Sequence, residues 1–149
     1  KKLGEVIDES NLTLRSSIIG PELKKSGVGL FQWFISNEGE LQGYTQSIWS
    51  GVTTLELARA IKWAIDFDII GLYHITNGLS ISKHDLLKLF KVHLNRDITI
   101  VAVDGKDQDK SFVDSRKLIN YKIPSYEEMI IEMLRDIKLN NNKYNYKYV

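Results

Sequence analysis

The sequence is informative first for what it lacks. It contains no cysteine, so disulfides, thiolate zinc sites and a cysteine nucleophile are excluded, and the composition suits a reducing cytoplasm. Its 20 Lys and Arg balance 19 Asp and Glu, which gives no electrostatic sign of a nucleic-acid partner. No apolar run approaches the roughly 18 residues of a membrane span, and no signal-peptide stretch follows Lys1 and Lys2. We expect a soluble, cytoplasmic protein that binds neither nucleic acid nor membrane.

Two further absences concern metals and cofactors. The three histidines have no acidic partner at ligand spacing, so we expect no metal site. The loop 104–109 lacks the closing glutamate of a calcium loop and is interpreted as a solvated turn. Gly27-Val28-Gly29 follows no strand and has no glycine three residues later. The chain therefore lacks the glycine-rich motif that binds dinucleotide phosphates.

The hydrophobic pattern alternates between strands and helices. With 149 residues and 43% hydrophobic content, the chain can bury one substantial core. Extended segments are predicted at 12–19, 40–44, 71–75 and 98–103, and helices at 27–34, from Thr53 onward, at 82–94 and after Ser125. A polar loop is predicted around 45–47. This alternation indicates an α/β layered fold.

Two helices are predicted to begin with capping boxes. Thr53 and Ser125 are each followed three residues later by a glutamate. The first helix carries Leu57, Ala58, Ile61, Ala64 and Ile65 at helical spacing, and the second is predicted to bury Met129, Ile130, Met133, Leu134 and Ile137. We expect one domain over residues 1–138 and a flexible tail over 139–149.

Four segments resemble the extended short-chain dehydrogenase/reductases that act on nucleotide sugars, and most closely the dTDP-4-dehydrorhamnose reductase-like group. In order they are Lys1-Lys2-Leu3-Gly4-Glu5, residues 14–21, residues 49–58, and Asp114-Ser115-Arg116-Lys117-Leu118 with Tyr121, Pro124 and Ser125. The resemblance implies the carboxyl-terminal portion of a Rossmann-type enzyme, with the last strands of the sheet and the smaller substrate-binding lobe. Because the chain opens with Lys rather than Met, we expect a fragment.

The resemblance also implies a chemistry. In this family a tyrosine exchanges a proton with the sugar while hydride moves to or from NADP or NAD. A lysine one helical turn later lowers the phenol pKa and binds the cofactor ribose. Lys1 matches that lysine, and Lys2 is the alternative if the register is off by one; the tyrosine would precede the chain. Ser16 and Ser17 are implied in cofactor binding and Ile18 in substrate binding, although all three could simply end a buried strand.

The neighbours of each aromatic residue indicate its role. Tyr44 and Trp49 lie beside polar loops and are candidates for stacking on the substrate's base. Trp33 could also stack on the base, but it is predicted in the core, and Trp63 is predicted to pack within its helix. No serine occupies a nucleophile elbow, so a serine hydrolase is not supported.

Three functions remain open from the sequence. The first is the substrate-binding part of an NAD(P)-dependent reductase of a 4-keto nucleotide sugar, inactive on its own and homodimeric in the way that family members often are. The second is an epimerase or dehydratase on the same scaffold, which recycles the hydride. The third is a non-catalytic binding subunit with the same fold. The base, the sugar and the choice of NADH or NADPH are not determined.

Overall fold

The computed structural model describes residues 5–6, 8–24, 26–105, 107–116 and 120–144. The strands are β1 Leu12–Arg15, β2 Ile18–Ile19, β3 Gly39–Tyr44, β4 Ser47–Trp49, β5 Val52–Thr53, β6 Gly71–His74, β7 Ile81–Ser82, β8 Ile98–Val103 and β9 Gln108–Lys110. The helices are α1 Leu30–Ile35, α2 Thr54–Asp66, α3 Lys83–Leu94 and α4 Tyr126–Leu139, followed by a 3₁₀ turn at Asn141–Lys143. The predicted mixed α/β architecture is confirmed.

Most strand pairs are parallel, as expected where helices connect successive strands. β1 pairs with β6, β2 with β5, and β3 with β8, all in parallel. β4 lies between antiparallel β7 and parallel β9. The loop predicted around 45–47 was therefore one residue too long, because Ser47 already belongs to β4.

The strand predicted over 12–19 is two strands. β1 ends at Arg15, and β2 begins at Ile18 with a different partner. Between them the Ser16 hydroxyl donates to the carbonyl of Ile75 (2.7 Å), and the carbonyl of Ser17 accepts from the amide of Val52 (3.0 Å). At residues 16–17 the chain leaves the β1–β6 pair and enters the β2–β5 pair. A run of β-branched and apolar residues does not show where a strand changes partner.

Helix α1 is shorter than predicted and turns its tryptophan outward. The predicted span was 27–34, whereas the helix begins after Gly29. Phe31 and Phe34 are fully buried on one face, and Trp33 lies on another face with 40% of its surface exposed. The prediction that Trp33 is a core residue was wrong, because three neighbouring aromatics on a helix cannot all face the same side.

One of the two capping boxes is complete. Ser125 and Glu128 exchange both hydrogen bonds at the start of α4. Thr53 accepts from the amide of Glu56 (3.2 Å), but the Glu56 carboxylate accepts from the Tyr121 hydroxyl (2.6 Å) instead of returning to the cap. The Thr53 box is thus half formed because Glu56 is buried among other partners.

Two hydrophobic clusters share α4. The larger joins α1, α3, β3, β8 and one side of α4, and the smaller joins α2, β5 and the other side of α4. Met129, Ile130, Met133 and Ile137 are buried as predicted, and Leu134 is partly buried. On α2 the buried apolar positions are Ala60 and Ala64, whereas Ala58, Ile61 and Ile65 are exposed.

The remaining predictions concern packing and the tail. Trp63 packs as predicted, with its ring centroid 5.0 Å from that of Tyr121 and 5.5 Å from that of Phe67. Tyr144 packs against the larger cluster, and the flexible tail over 139–149 stays a prediction. No helix in the described part of the chain is both long and apolar enough to cross a membrane.

Candidate functional site

A pocket opens at the carboxyl end of β1, where the sequence places Ser16 and Ser17. The carboxyl ends of parallel strands are the usual ligand-binding edge of an α/β sheet. We call this the serine pocket, with a volume of about 440 Å³. Its lining residues are Ser16, Ser17, Ile18, Ile19, Leu30, Trp49, Lys83, Leu86 and Lys110.

The rim of the serine pocket is fixed by backbone contacts. The carbonyl of Arg15 accepts from the amide of Ile75 (2.8 Å), and the Ser16 hydroxyl bonds the carbonyl of the same residue. Behind the rim, Gly51 lies so close to Ser17 that a Cβ at position 51 would overlap the Ser17 carbonyl oxygen. Only glycine permits this approach, so the position of the rim depends on Gly51.

A second pocket lies beside β3, and we call it the aromatic pocket. Trp33 and Tyr44 are each 40% exposed, so a planar ligand could stack on either ring. The volume is about 610 Å³. The lining residues are Leu30, Trp33, Asn37, Glu40, Leu41, Gln42, Tyr44, Lys83 and Leu87.

The two pockets adjoin at Leu30 and Lys83, which line both. Lys83 is the first residue of α3, directly after the N-cap Ser82. It therefore adds its charge to the positive end of the helix dipole. Lys110, on β9, lies in the serine pocket as well. Neither lysine forms an ion pair within the described ranges, so both charges can serve a bound anion.

The first turn of α3 is held in place by hydrogen bonds. The Ser82 hydroxyl lies 3.0 Å from the amide of Asp85, from which it accepts, and 2.7 Å from the Asp85 carboxylate, to which it donates. The Ser82 hydrogen bond is the main cause that lowers the pKa of Asp85, and burial opposes it. His84 Nδ1 adds a contact to the same carboxylate at 3.0 Å. These bonds position Lys83 between the two pockets.

The structure brings together five of the six predicted site residues. Ser16, Ser17, Ile18 and Trp49 line the serine pocket, and Tyr44 lines the aromatic pocket. Lys1, the predicted catalytic residue, lies outside the described residues. The functional roles assigned to all six stay predictions.

Sequence reasoning missed Lys83, Lys110 and Glu40. A lysine in the first turn of a helix opposes the helix dipole, and that unfavourable placement was the available signal for Lys83. Glu40 and Lys110 carried no comparable signal, because they reach the pockets only through the pairing of β3 with β8 and of β4 with β9.

Two tyrosines, the partly buried Tyr121 and the buried Tyr126, are structural. Tyr121 donates to Glu56, and burial together with this carboxylate raises the pKa of Tyr121 well above its ordinary range. Tyr126 donates to the carbonyl of Leu79 (2.6 Å), and burial raises the pKa of Tyr126 to about 12. A raised pKa makes the phenolate harder to form, so neither residue suits proton exchange at neutral pH.

Arg116 fixes the segment before α4. This buried guanidinium donates to the carbonyl of Thr76 (2.5 Å), to the carbonyl of Tyr121 (2.9 Å) and to the Asp114 carboxylate (3.0 Å). The fourth segment of the resemblance therefore has a structural role beside β6. Within the described residues, no group of three or more His, Asp or Glu side chains is placed to hold a metal ion.

Comparison with known proteins identifies the fold. No protein-family model and no curated protein matches the sequence. The structure resembles dTDP-4-dehydrorhamnose reductase from Bacillus anthracis in complex with NADP, with a TM-score of 0.71 and 19% identity over 86% of this chain and 49% of that one. It also resembles dTDP-glucose 4,6-dehydratase from the same organism in complex with NAD (TM-score 0.62, 16% identity, 89% of this chain and 46% of that one).

A third solved structure extends the comparison. UDP-N-acetylglucosamine 4-epimerase from Methanobrevibacter ruminantium, in complex with UDP-N-acetylmuramic acid, gives a TM-score of 0.63 and 18% identity over 83% of this chain and 44% of that one. The fold is that of extended short-chain dehydrogenase/reductases. The chain spans about half the length of these structures. The predicted fold class is confirmed.

Proposed function

We propose that this chain is the substrate-binding part of an NAD(P)-dependent enzyme that reduces a 4-keto nucleotide sugar. The observation that carries the proposal is the meeting of Ser16, Ser17, Ile18 and Trp49 in one pocket, with Tyr44 in the pocket next to it. The sequence assigned these residues to cofactor and substrate from separate segments. The fold supports the same assignment, because solved enzymes with this fold act on nucleotide sugars.

Each pocket suits one part of such a substrate. The serine pocket offers hydroxyl and backbone groups at the strand ends, where the sugar and the nicotinamide would meet. Lys83 and Lys110 offer two ammonium groups for the diphosphate, and an ammonium binds phosphate through charge and hydrogen bonds. The aromatic pocket offers Trp33 and Tyr44 for the base. The order sugar, diphosphate, base thus runs from one pocket to the other through Lys83.

This chain offers residues for only part of the cofactor, the nicotinamide and its ribose. Ser16 and Ser17 lie where polar groups could contact a nicotinamide, and Lys1 would bind its ribose. The bound cofactor would supply the hydride. The glycine-rich phosphate motif is absent, so its phosphates would be held by another part of the parent enzyme. Proton exchange would fall to the tyrosine four residues before Lys1, with Lys1 stabilising the phenolate.

The decisive experiment measures cofactor consumption by the parent protein with a series of nucleotide sugars in their 4-hydroxy and 4-keto forms. A reductase consumes one NADPH or NADH per 4-keto sugar, whereas an epimerase or dehydratase converts the 4-hydroxy sugar without net consumption. A parent that binds nucleotide sugar but never turns it over would instead be a binding subunit. The 149-residue chain alone is expected to show no turnover. Cofactor oxidation by this chain alone would contradict the proposal that other parts of the parent enzyme are needed for the reaction.

Lys83→Gln tests the diphosphate assignment. Loss of one charge-assisted contact of about 1.5–3 kcal/mol should weaken the binding of a nucleoside diphosphate about tenfold or more, measured by calorimetry. Lys88→Gln is the matched control, because Lys88 is exposed on α3 and lines neither pocket. Equal losses in the two variants would refute a specific role for Lys83. We further propose that the parent protein is cytoplasmic and forms a homodimer; sedimentation of the parent protein tests the oligomeric state.

A further inference from the structure

The polar side chains that line the aromatic pocket differ in whether they already have hydrogen-bond partners. The pocket has two amide side chains: Asn37 is already engaged, because it donates to the carbonyl of Trp33 (2.7 Å), whereas Gln42 can both donate and accept and so can pair with any base. Glu40 lines the same pocket, and its carboxylate forms no hydrogen bond or ion pair with the described residues. Glu40 therefore offers the pocket two unengaged oxygen acceptors beside two exposed aromatic rings.

A carboxylate distinguishes the bases by their hydrogen-bonding edges. Guanine presents two adjacent donors, N1–H and the 2-amino group, which match the two oxygens of a carboxylate. Uracil and thymine present one N–H between two carbonyl oxygens, and those oxygens would repel the carboxylate. Adenine and cytosine each present one amino donor beside a ring nitrogen that accepts. Guanine alone can pair with Glu40 through two hydrogen bonds.

We propose that the aromatic pocket selects guanine through Glu40, so that the substrate is a guanosine diphosphate sugar. This inference rests on the proposed function, because it takes the aromatic pocket as the base site. Trp33 and Tyr44 supply stacking that any base can use, and Glu40 supplies the discrimination. The solved structures with this fold that are named above carry thymidine or uridine nucleotides in their names, so the inference separates this chain from them.

The test is calorimetry with GDP, dTDP, UDP, CDP and ADP on the longest natural chain that contains these residues. A good bidentate pair is worth about 1–3 kcal/mol of discrimination between bases, and about 1.4 kcal/mol is tenfold. GDP should therefore bind at least about fivefold more tightly than dTDP or UDP. Glu40→Gln should weaken GDP binding about tenfold while dTDP binding stays equal or improves, because the repulsion of its carbonyl oxygens is removed.

Glu38→Gln is the matched control. It removes the same charge two residues earlier from an exposed position that does not line the pocket, and it should leave the order of nucleotides unchanged. Tighter binding of dTDP or UDP than GDP, or an order that Glu40→Gln does not alter, would overturn the guanine assignment and leave the proposed function standing. Failure of every nucleotide to bind a chain that unfolds cooperatively would overturn the proposed function itself.

Discussion

The serine pocket and the aromatic pocket share Leu30 and Lys83, yet they are built in different ways. The rim of the serine pocket consists of strand ends held by backbone hydrogen bonds and by the close approach of Gly51. The aromatic pocket consists of side chains from α1, β3 and α3. A change to an exposed side chain such as Trp33 or Tyr44 should therefore alter binding in the aromatic pocket with little effect on the fold, whereas disrupting the backbone contacts of the serine pocket should also destabilise the fold.

The largest contrast is expected between the two tryptophans. Trp49 packs against both hydrophobic clusters, with its ring centroid 5.7 Å from that of Tyr126, whereas Trp33 is 40% exposed. Trp49→Ala should lower the free energy of unfolding by about 3 kcal/mol, the lower end for a large aromatic because Trp49 is only partly buried. Trp33→Ala should lower it by less than about 1 kcal/mol while weakening nucleotide binding by about 1–3 kcal/mol of stacking.

Urea unfolding and calorimetry separate these two effects. Trp49→Phe is the control for Trp49→Ala, because it retains an aromatic ring and should recover part of the lost stability. If Trp33→Ala destabilised the fold as much as Trp49→Ala, the distinction between the two pockets would be wrong.

The same contrast shows what the sequence could and could not predict. Ser16 and Ser17 lie in one segment of the resemblance, which assigns them to cofactor binding, and Trp49 is assigned to the substrate from its polar neighbours. Trp33 was assigned to the core because composition does not show which face of a six-residue helix is buried. Its neighbours Phe31 and Phe34 occupy that face.

Long-range pairing accounts for the other omissions. Glu40 and Lys110 reach their pockets through strand pairs that join segments about 60 residues apart. Local patterns carry no information about such pairing. The helix starts at Thr53, Ser82 and Ser125 depend on neighbours three residues away, and the sequence located all three.

A smaller effect is expected from adding one methyl group at either of two glycines. Gly51→Ala should destabilise by about 2 kcal/mol, because the new Cβ overlaps a backbone oxygen that cannot rotate away. Gly43→Ala places its Cβ 2.9 Å from His84 Cα and from Ile100 Cγ2, on the β3 side of α3. We expect a cost nearer 1 kcal/mol there, since α3 can shift slightly away from β3.

Binding distinguishes the two glycine variants further. Gly43→Ala should alter GDP affinity, because a shift of α3 moves Lys83, even in solutions where the variant is fully folded. Thermal unfolding and calorimetry on both variants provide the comparison. A Gly51→Ala variant as stable as the wild type would show that the serine pocket does not depend on the backbone contact.

A still smaller effect is expected from removing a helix cap. Ser82→Ala and Ser125→Ala each delete a side chain that accepts from a backbone amide, at a cost of about 1 kcal/mol of unfolding free energy. The two losses should be similar in urea unfolding. Only Ser82→Ala should also weaken GDP binding, because Lys83 follows Ser82 and α4 lines neither pocket. Equal effects on binding would show that the orientation of α3 does not control the pockets.

The smallest expected effect is a pH dependence of the free energy of unfolding that arises from Asp85, in the first turn of α3 beside Lys83. Since the folded-state pKa of Asp85 is lowered, its ionised form stabilises the fold above the unfolded pKa, near pH 4, and this contribution is lost as pH falls through the folded value. Asp85→Asn should therefore be less stable than the wild type at pH 6, with a difference that shrinks below pH 4.

Glu128, whose pKa is also lowered by its cap, provides the comparison in α4. Hydrogen exchange should localise the Asp85→Asn loss to the first turn of α3 and the Glu128→Gln loss to α4. Faster exchange at both helices in both variants would show that the starts of α3 and α4 open together. The first turn of α3, which carries Lys83, could then not move independently of the hydrophobic core.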